Sequence, residues 1–262
     1  MSFIKGFFSS CLGALIALII FTLGIFIFFV MGSSNPVIIN TNSVLHLKLD
    51  KPISELEVED ELPDLFPDIS DTRIGLLQLK NVISQAAIDS KIEGIYLDLS
   101  DVSAGLTALR EVRSSLSSFR ESGKWIVAYA NNFSEATYYL SSVASEIYLN
   151  PQGMIEFNGL SAEVMHYKRL LDKLEIKPVV FRVGEFKSAV EPFLLDKMSP
   201  ENRFQLDEML RSIHNQMLTD ISASRNIPID KLTEMSKKML VRNAQQAVDL
   251  NLIDSICYDD QV

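Results

Sequence analysis

The chain reads as a mixed α/β domain, a mostly parallel sheet with flanking helices preceded by one transmembrane helix, and three observations predict this. Short apolar runs at 94–99, 125–130 and 147–149 are separated by helix-length stretches with apolar residues on one face. Strands that alternate with helices in this way are joined by right-handed crossovers and pair in parallel. An acidic break is followed by residues 73–262, long enough for one sizeable core. Ahead of everything stands a run without a charge, residues 7–31.

At 1.5 Å per helical residue that run is long enough to cross a ~30 Å hydrocarbon core. It has no small-residue cleavage pattern after Met31, where the chain reads Gly32-Ser33-Ser34-Asn35-Pro36. It is therefore expected to stay in the mature protein as a signal anchor. Residues 1–6 form a short tip in which Lys5 is the only basic side chain, which favours a cytoplasmic amino terminus and a domain on the outer face. Residues 32–72 read as a linker with a first strand region. Within them, 55–71 hold eight acids and no Lys or Arg among prolines, the composition of a solvated connection.

The domain of residues 73–262 then alternates. Helices are expected over 74–87, 106–119 and 134–144. Strands are expected at 94–99, 125–130, 147–149 and 179–183. Ser199 caps a helix whose first residue is Pro200, a position where proline's missing N–H costs nothing. Its Leu206, Leu210, Ile213, Met217 and Ile221 fall on one face, a core or subunit-interface stripe. Further helices begin near Pro228 and Asn243, so the carboxyl portion is expected to be helical.

Composition excludes several functions. The chain has 34 acidic against 24 basic residues, and no basic patch that would be the footprint of a nucleic-acid partner. Cys11 lies inside the apolar run and Cys257 near the carboxyl end, so they build no disulfide framework. His46, His166 and His214 lack ligand-like spacing, and neither a metal nor a cofactor is expected.

One segment carries chemistry. In Val183-Gly184-Glu185-Phe186-Lys187-Ser188-Ala189-Val190-Glu191-Pro192-Phe193, a single lysine sits in a glycine-punctuated turn after an apolar strand. At its reference pKa of about 10.4, roughly one lysine in a few thousand is neutral at pH 7. A lysine general base must therefore be desolvated, which lowers its pKa by up to ~3–5 units. Lys187 is the candidate base, and the expectation is a cleft. The ordinary alternative is a solvated loop lysine.

The stretches EIYLNPQG (146–153), YKRLLDKLEIKP (167–178) and FRVGEFKSAVEPFLLDKMSP (181–200) closely resemble the signal peptide peptidase A family, in the amino-terminal repeat of its long, two-repeat bacterial form. The resemblance implies the fold shared by Clp protease and crotonase and a membrane-anchored serine peptidase with a Ser/Lys dyad. It implies that Lys187 is the general base, that the nucleophile of the long form comes from the second repeat, and that homo-oligomers or repeat–repeat assemblies form. The substrates it implies are residual signal peptides or other apolar peptides at a bacterial inner membrane.

The nucleophile is where this chain departs from a complete enzyme. Short relatives carry a Ser-Gly-Gly-Tyr-Tyr-like turn, and here the stretch reads Ser134-Glu135-Ala136-Thr137-Tyr138-Tyr139. Aligning the tyrosines puts Glu135 at the nucleophile position and Ser134 one residue early, where it reads as a helix cap. Ser141, Ser142 and Ser188 are weaker rivals. Gly105, in Ser100-Asp101-Val102-Ser103-Ala104-Gly105, stands near the family's oxyanion turn. Two functions stay open: a peptidase subunit that supplies the base, and a noncatalytic membrane scaffold or regulator that keeps the fold and Lys187 but has lost the nucleophile.

Overall fold

The computed structural model describes residues 13–27, 39–55, 73–99, 102–181 and 183–262. The chain forms two units, Met1–Asn40 and Thr41–Val262. In the first, residues 13–27 are an α-helix (α1) with exposed side chains. Among the described residues, no helix is long and apolar enough to cross a membrane. The expected span of 7–31 extends past α1 at both ends, outside the described residues, as do residues 56–71 of the acidic stretch.

The second unit is built on a five-stranded parallel sheet. Strand β1 (Ser43–Lys48) leads to a small parallel pair, β2 (Ile53–Ser54) with β3 (Ile74–Gly75). Helix α2 (Leu76–Ile88), β4 (Ile92–Asp98), α3 (Leu106–Glu121), β5 (Trp125–Ala130), α4 (Glu135–Ser141) and β6 (Glu146–Leu149) then alternate. After short α5 (Lys168–Lys173) and α6 (Glu191–Leu194) come α7 (Pro200–Arg225), α8 (Ile229–Lys238), α9 (Ala244–Asp249) and β7 (Ser255–Ile256). The main sheet runs β1-β4-β5-β6-β7 with every neighbouring pair parallel. This is the mixed α/β class that the alternation predicts.

Two-residue periodicity sorts the strands. Ile95 and Leu97 of β4, Ile126 and Ala128 of β5, and Ile147 and Leu149 of β6 are fully buried on one face. Against the sheet lie the apolar stripes of the helices: Leu79, Ile83 and Ala86 from α2, and Leu109, Val112, Leu116 and Phe119 from α3. Each fully buried Leu or Phe contributes roughly 1.5–3 kcal/mol. Tyr138 of α4 sits edge-on between Phe133 and Phe157, with ring centroids 6.2 and 5.7 Å away. Its hydroxyl donates to Leu252 O at 2.8 Å, which carries the core across to the last helices. Gly153 is required by contact: a Cβ there would stand 2.1 Å from Asn131 O.

A buried cation ties the helices together. The Arg113 guanidinium of α3 donates to Tyr139 O (3.1 Å) and Ser142 Oγ (3.1 Å) at the end of α4, and to Asp220 O (3.0 Å) and Ser224 Oγ (2.7 Å) on α7. It also lies 5.0 Å from the Tyr139 ring centroid. Burial lowers its pKa, and Tyr139 and Asp220 oppose that shift. The fork uses its donors on four acceptors, which is what makes a buried charge tolerable.

The structure corrects three expectations. Residues 179–181 and 183 form no strand, because nothing in the described chain pairs with them; Val179, Phe181 and Val183 are 81%, 96% and 90% exposed. The helix expected over 134–144 ends at Ser141, leaving a bend before β6. The carboxyl portion is not wholly helical, since β7 returns to the sheet beside β6. The α7 stripe divides. Met217 and Ile221, with Leu218, are buried in this chain's own core, while Leu206 and Leu210 are half-buried.

Replacing Arg113 with alanine removes four charge-assisted hydrogen bonds that join α3 to α4 and α7. Arg113→Ala is expected to lower unfolding free energy by about 3 kcal/mol or more. Arg113→Lys, with a point charge in place of the fork, restores only part of it. A urea titration followed through the single tryptophan, Trp125, reads both.

Candidate active site

Loops at the carboxyl ends of parallel strands are where α/β proteins bind ligands, and two sequence-predicted residues stand there. Gly105, after β4, is the N-cap of α3 with extended backbone (φ −66°, ψ 150°) and open space where a Cβ would go. Its neighbour Ala104 bridges to Ile53 of β2. Ser134, after β5, is the N-cap of α4: its Oγ accepts the Thr137 N–H at 3.3 Å and lies 3.1 Å from Thr137 Oγ1. Its hydroxyl is therefore engaged in capping the start of the helix. The two rival serines on α4 are fully buried. Ser141 Oγ donates to Tyr138 O at 3.0 Å, and Ser142 Oγ donates to Tyr139 O at 2.8 Å.

Glu135, the first residue of α4, is built into a cluster. Its Oε1 accepts the Gly159 N–H at 3.2 Å and lies 3.6 Å from His214 Nε2 of α7. The same ring nitrogen is 3.4 Å from Ser236 Oγ of α8, a residue only 3% exposed. Gly159 is needed here because its φ is +87°. Burial pushes the Glu135 carboxyl up to about 7; the Gly159 N–H offsets part of this and Glu156 adds to it. Burial lowers the His214 imidazole, with Lys237 adding to the shift. A serine–histidine–acid relay needs serine and acid on opposite ring nitrogens. Here both face Nε2, so the cluster is no relay. Sequence reading missed it, since Glu135 and His214 are far apart in the chain and share no motif.

Lys187 stands elsewhere, in the turn that Gly184 makes possible with φ +101°. Its side chain is exposed, and the described residues do not enclose it in a cleft. Behind Lys187 the chain is firmly held. The Glu191 carboxylate, 1% exposed, accepts Ser199 N–H (3.2 Å), Ser199 Oγ–H (2.6 Å) and Asn202 Nδ2–H (3.2 Å) at the start of α7. Among the described residues, no three His, Cys, Asp or Glu side chains gather as a metal site.

Residues 118–262, more than half of the chain, match the profile of peptidase family S49, and this span includes Lys187. The chain belongs to peptidase family S49. It is 42% identical to Protease 4 of Haemophilus influenzae over 129 residues, covering 49% of this chain and 21% of that protein. It is 37% identical to Protease 4 of Salmonella typhi over 156 residues, covering 55% of this chain and 25% of that one. Similarity extends to a chloroplastic serine protease SPPA of Arabidopsis thaliana, 27% identical over 151 residues, with 58% and 22% covered. The S49 chain thus spans about a quarter or less of these relatives' length, and the lysine motif read from the sequence lies inside the matched region.

The Glu135 carboxyl makes stability depend on pH. Its folded pKa lies above the ordinary carboxylate value, so the folded state binds its proton more tightly and stability falls as pH rises from about 4.5 through about 7. His214, shifted down, acts the opposite way below about 6.5. Glu135→Gln is expected to remove the first slope, worth on the order of 3 kcal/mol across that window. Denaturation midpoints at a series of pH values check it; an unchanged slope counts against the buried neutral carboxyl.

Proposed function

We propose that the chain is the lysine-bearing part of a membrane-anchored serine-type endopeptidase with a Ser/Lys dyad. It supplies Lys187 as general base and later general acid, and needs a second repeat for the serine. The single observation that carries this reading is the S49 match across the lysine motif. In such a dyad the neutral amine takes the proton of the serine hydroxyl as it attacks the peptide carbonyl, then returns it to the leaving amine. One base does the work of His and Asp together. The exposed Lys187 fits a base whose desolvating wall comes from elsewhere, since a second chain packed over 179–187 would bury it.

Substrates in this reading are residual signal peptides or other apolar peptides. The anchor is the uncharged run 7–31, of which α1 is the described part, and it holds the domain at the periplasmic or outer face of a bacterial inner membrane. A second reading, a noncatalytic membrane scaffold with a peptidase fold, is favoured by one observation: Ser134 is spent as a cap and Ser141 and Ser142 are buried. The two differ in turnover. In native membranes containing the chain, Lys187→Ala should abolish hydrolysis of an apolar peptide without unfolding the domain. Lys187→Arg should fail as well, because a guanidinium is effectively never neutral. Retained turnover in either variant rules out the general-base role.

Intact mass of the membrane-extracted protein tests the anchor. The expected value retains residues 7–31, and a mass beginning near Gly32 refutes it.

A further inference from the structure

The segment around Lys187 combines freedom on one side with restraint on the other. Before the lysine, Val179, Phe181 and Val183 are exposed and unpaired with any strand. After it, the Ser188 carbonyl accepts the Glu191 N–H at 2.9 Å, and Leu195 N–H returns to Glu191 O at 2.8 Å. Short α6 is gripped from a second direction as well. Tyr167 N–H donates to Pro192 O at 2.7 Å, the Tyr167 and Phe193 rings stack at 6.0 Å, and His166 Nδ1 lies 2.8 Å from Leu195 O.

The restraint converges on one side chain. A carboxylate is costly to bury unless its oxygens are satisfied, and Glu191 meets three donors at the start of α7. Ser199 Oγ plays both parts, donating to Glu191 Oε1 and accepting the Asn202 N–H at 3.1 Å as the helix cap. The negative charge also faces the positive end of the long helix α7. That helix is fixed in turn by Met217, Leu218 and Ile221 in the core and by Arg113. A continuous path therefore leads from the core through α7, Ser199 and Asn202, Glu191 and Ser188 to the lysine.

We propose that Glu191 is a positioning residue for Lys187, its buried carboxylate clamping the lysine turn to the amino terminus of α7. This rests on the proposed role of Lys187. The carboxylate is suited to the task because Ser199 N–H, Ser199 Oγ–H and Asn202 Nδ2–H all donate to it. An amide in its place removes the negative charge at the α7 amino terminus and forces the Ser199 hydroxyl to turn from donor to acceptor toward the NH2 group.

Glu191→Gln in the full chain is the test, read in two ways. Hydrogen exchange should speed up across 184–190 and at the first turn of α7 but not in α2 or β5, and the rate of trace acetylation at Lys187 should change while that at Lys80 does not. In native membranes, kcat for an apolar peptide should fall roughly 10–100-fold with KM unchanged, the cost of slightly misplacing a reacting group. Glu191→Asp should recover part of both effects. If Glu191→Gln does not fold, Asn202→Ala, which removes one donor, should move the same readouts in the same direction. Unaltered exchange and acetylation at the lysine turn would overturn the clamp, as would a loss of kcat matched by equal loss of folded protein. The two readings fail separately: turnover surviving in Lys187→Ala defeats the peptidase role, whereas the exchange result decides the clamp regardless.

Discussion

The buried guanidinium of Arg113 is the joint on which the arrangement turns. A parallel sheet must hide its apolar face under helices, and α3 and α4 do so directly after β4 and β5. Helix α7 arrives much later in the chain and needs a reason to dock in one register. Arg113 supplies it by offering a rigid fork to backbone and hydroxyl acceptors on α4 and α7 together. With α7 fixed, its amino terminus becomes a mounting point. Ser199 and Asn202 there receive Glu191, and the turn bearing Lys187 follows. The lysine is thus connected to the core through side-chain bonds, although its own side chain is exposed.

Local periodicity made much of this legible. β5 runs from Trp125 to Ala130 as its apolar run predicts, and Ser199-Pro200 marks the start of α7 because cap and proline signal it within two residues. Ser134 read as a cap for the same local reason. What failed depends on partners distant in sequence. Residues 179–183 have strand-forming side chains, yet a strand exists only when a neighbour accepts its backbone bonds. The two-residue β7 has no period at all and exists because β6 offers an open edge. Glu135 and His214 meet only when α4 and α7 pack, and the burial expected for Lys187 requires a surface that the described residues do not supply.

Chemically the chain is one-sided. It carries a candidate base on a held turn, while Glu135, beside the capping Ser134, is a carboxyl whose pKa burial raises and which accepts the Gly159 N–H. The serines near it are committed to capping or to the interior. In the proposed dyad, the exposed apolar stretch before Lys187 is the side on which a second chain would pack.

Activity-based labelling of the purified chain tests that half-site account most directly. A fluorophosphonate probe, mapped by peptide mass spectrometry, should leave every serine unmodified in the chain alone. Serine labelling that depends on Lys187 should arise only when a second-repeat S49 domain is added, and on that domain. Specific labelling of Ser134 in the isolated chain, lost in Lys187→Ala, would contradict the account and make the chain a self-sufficient peptidase.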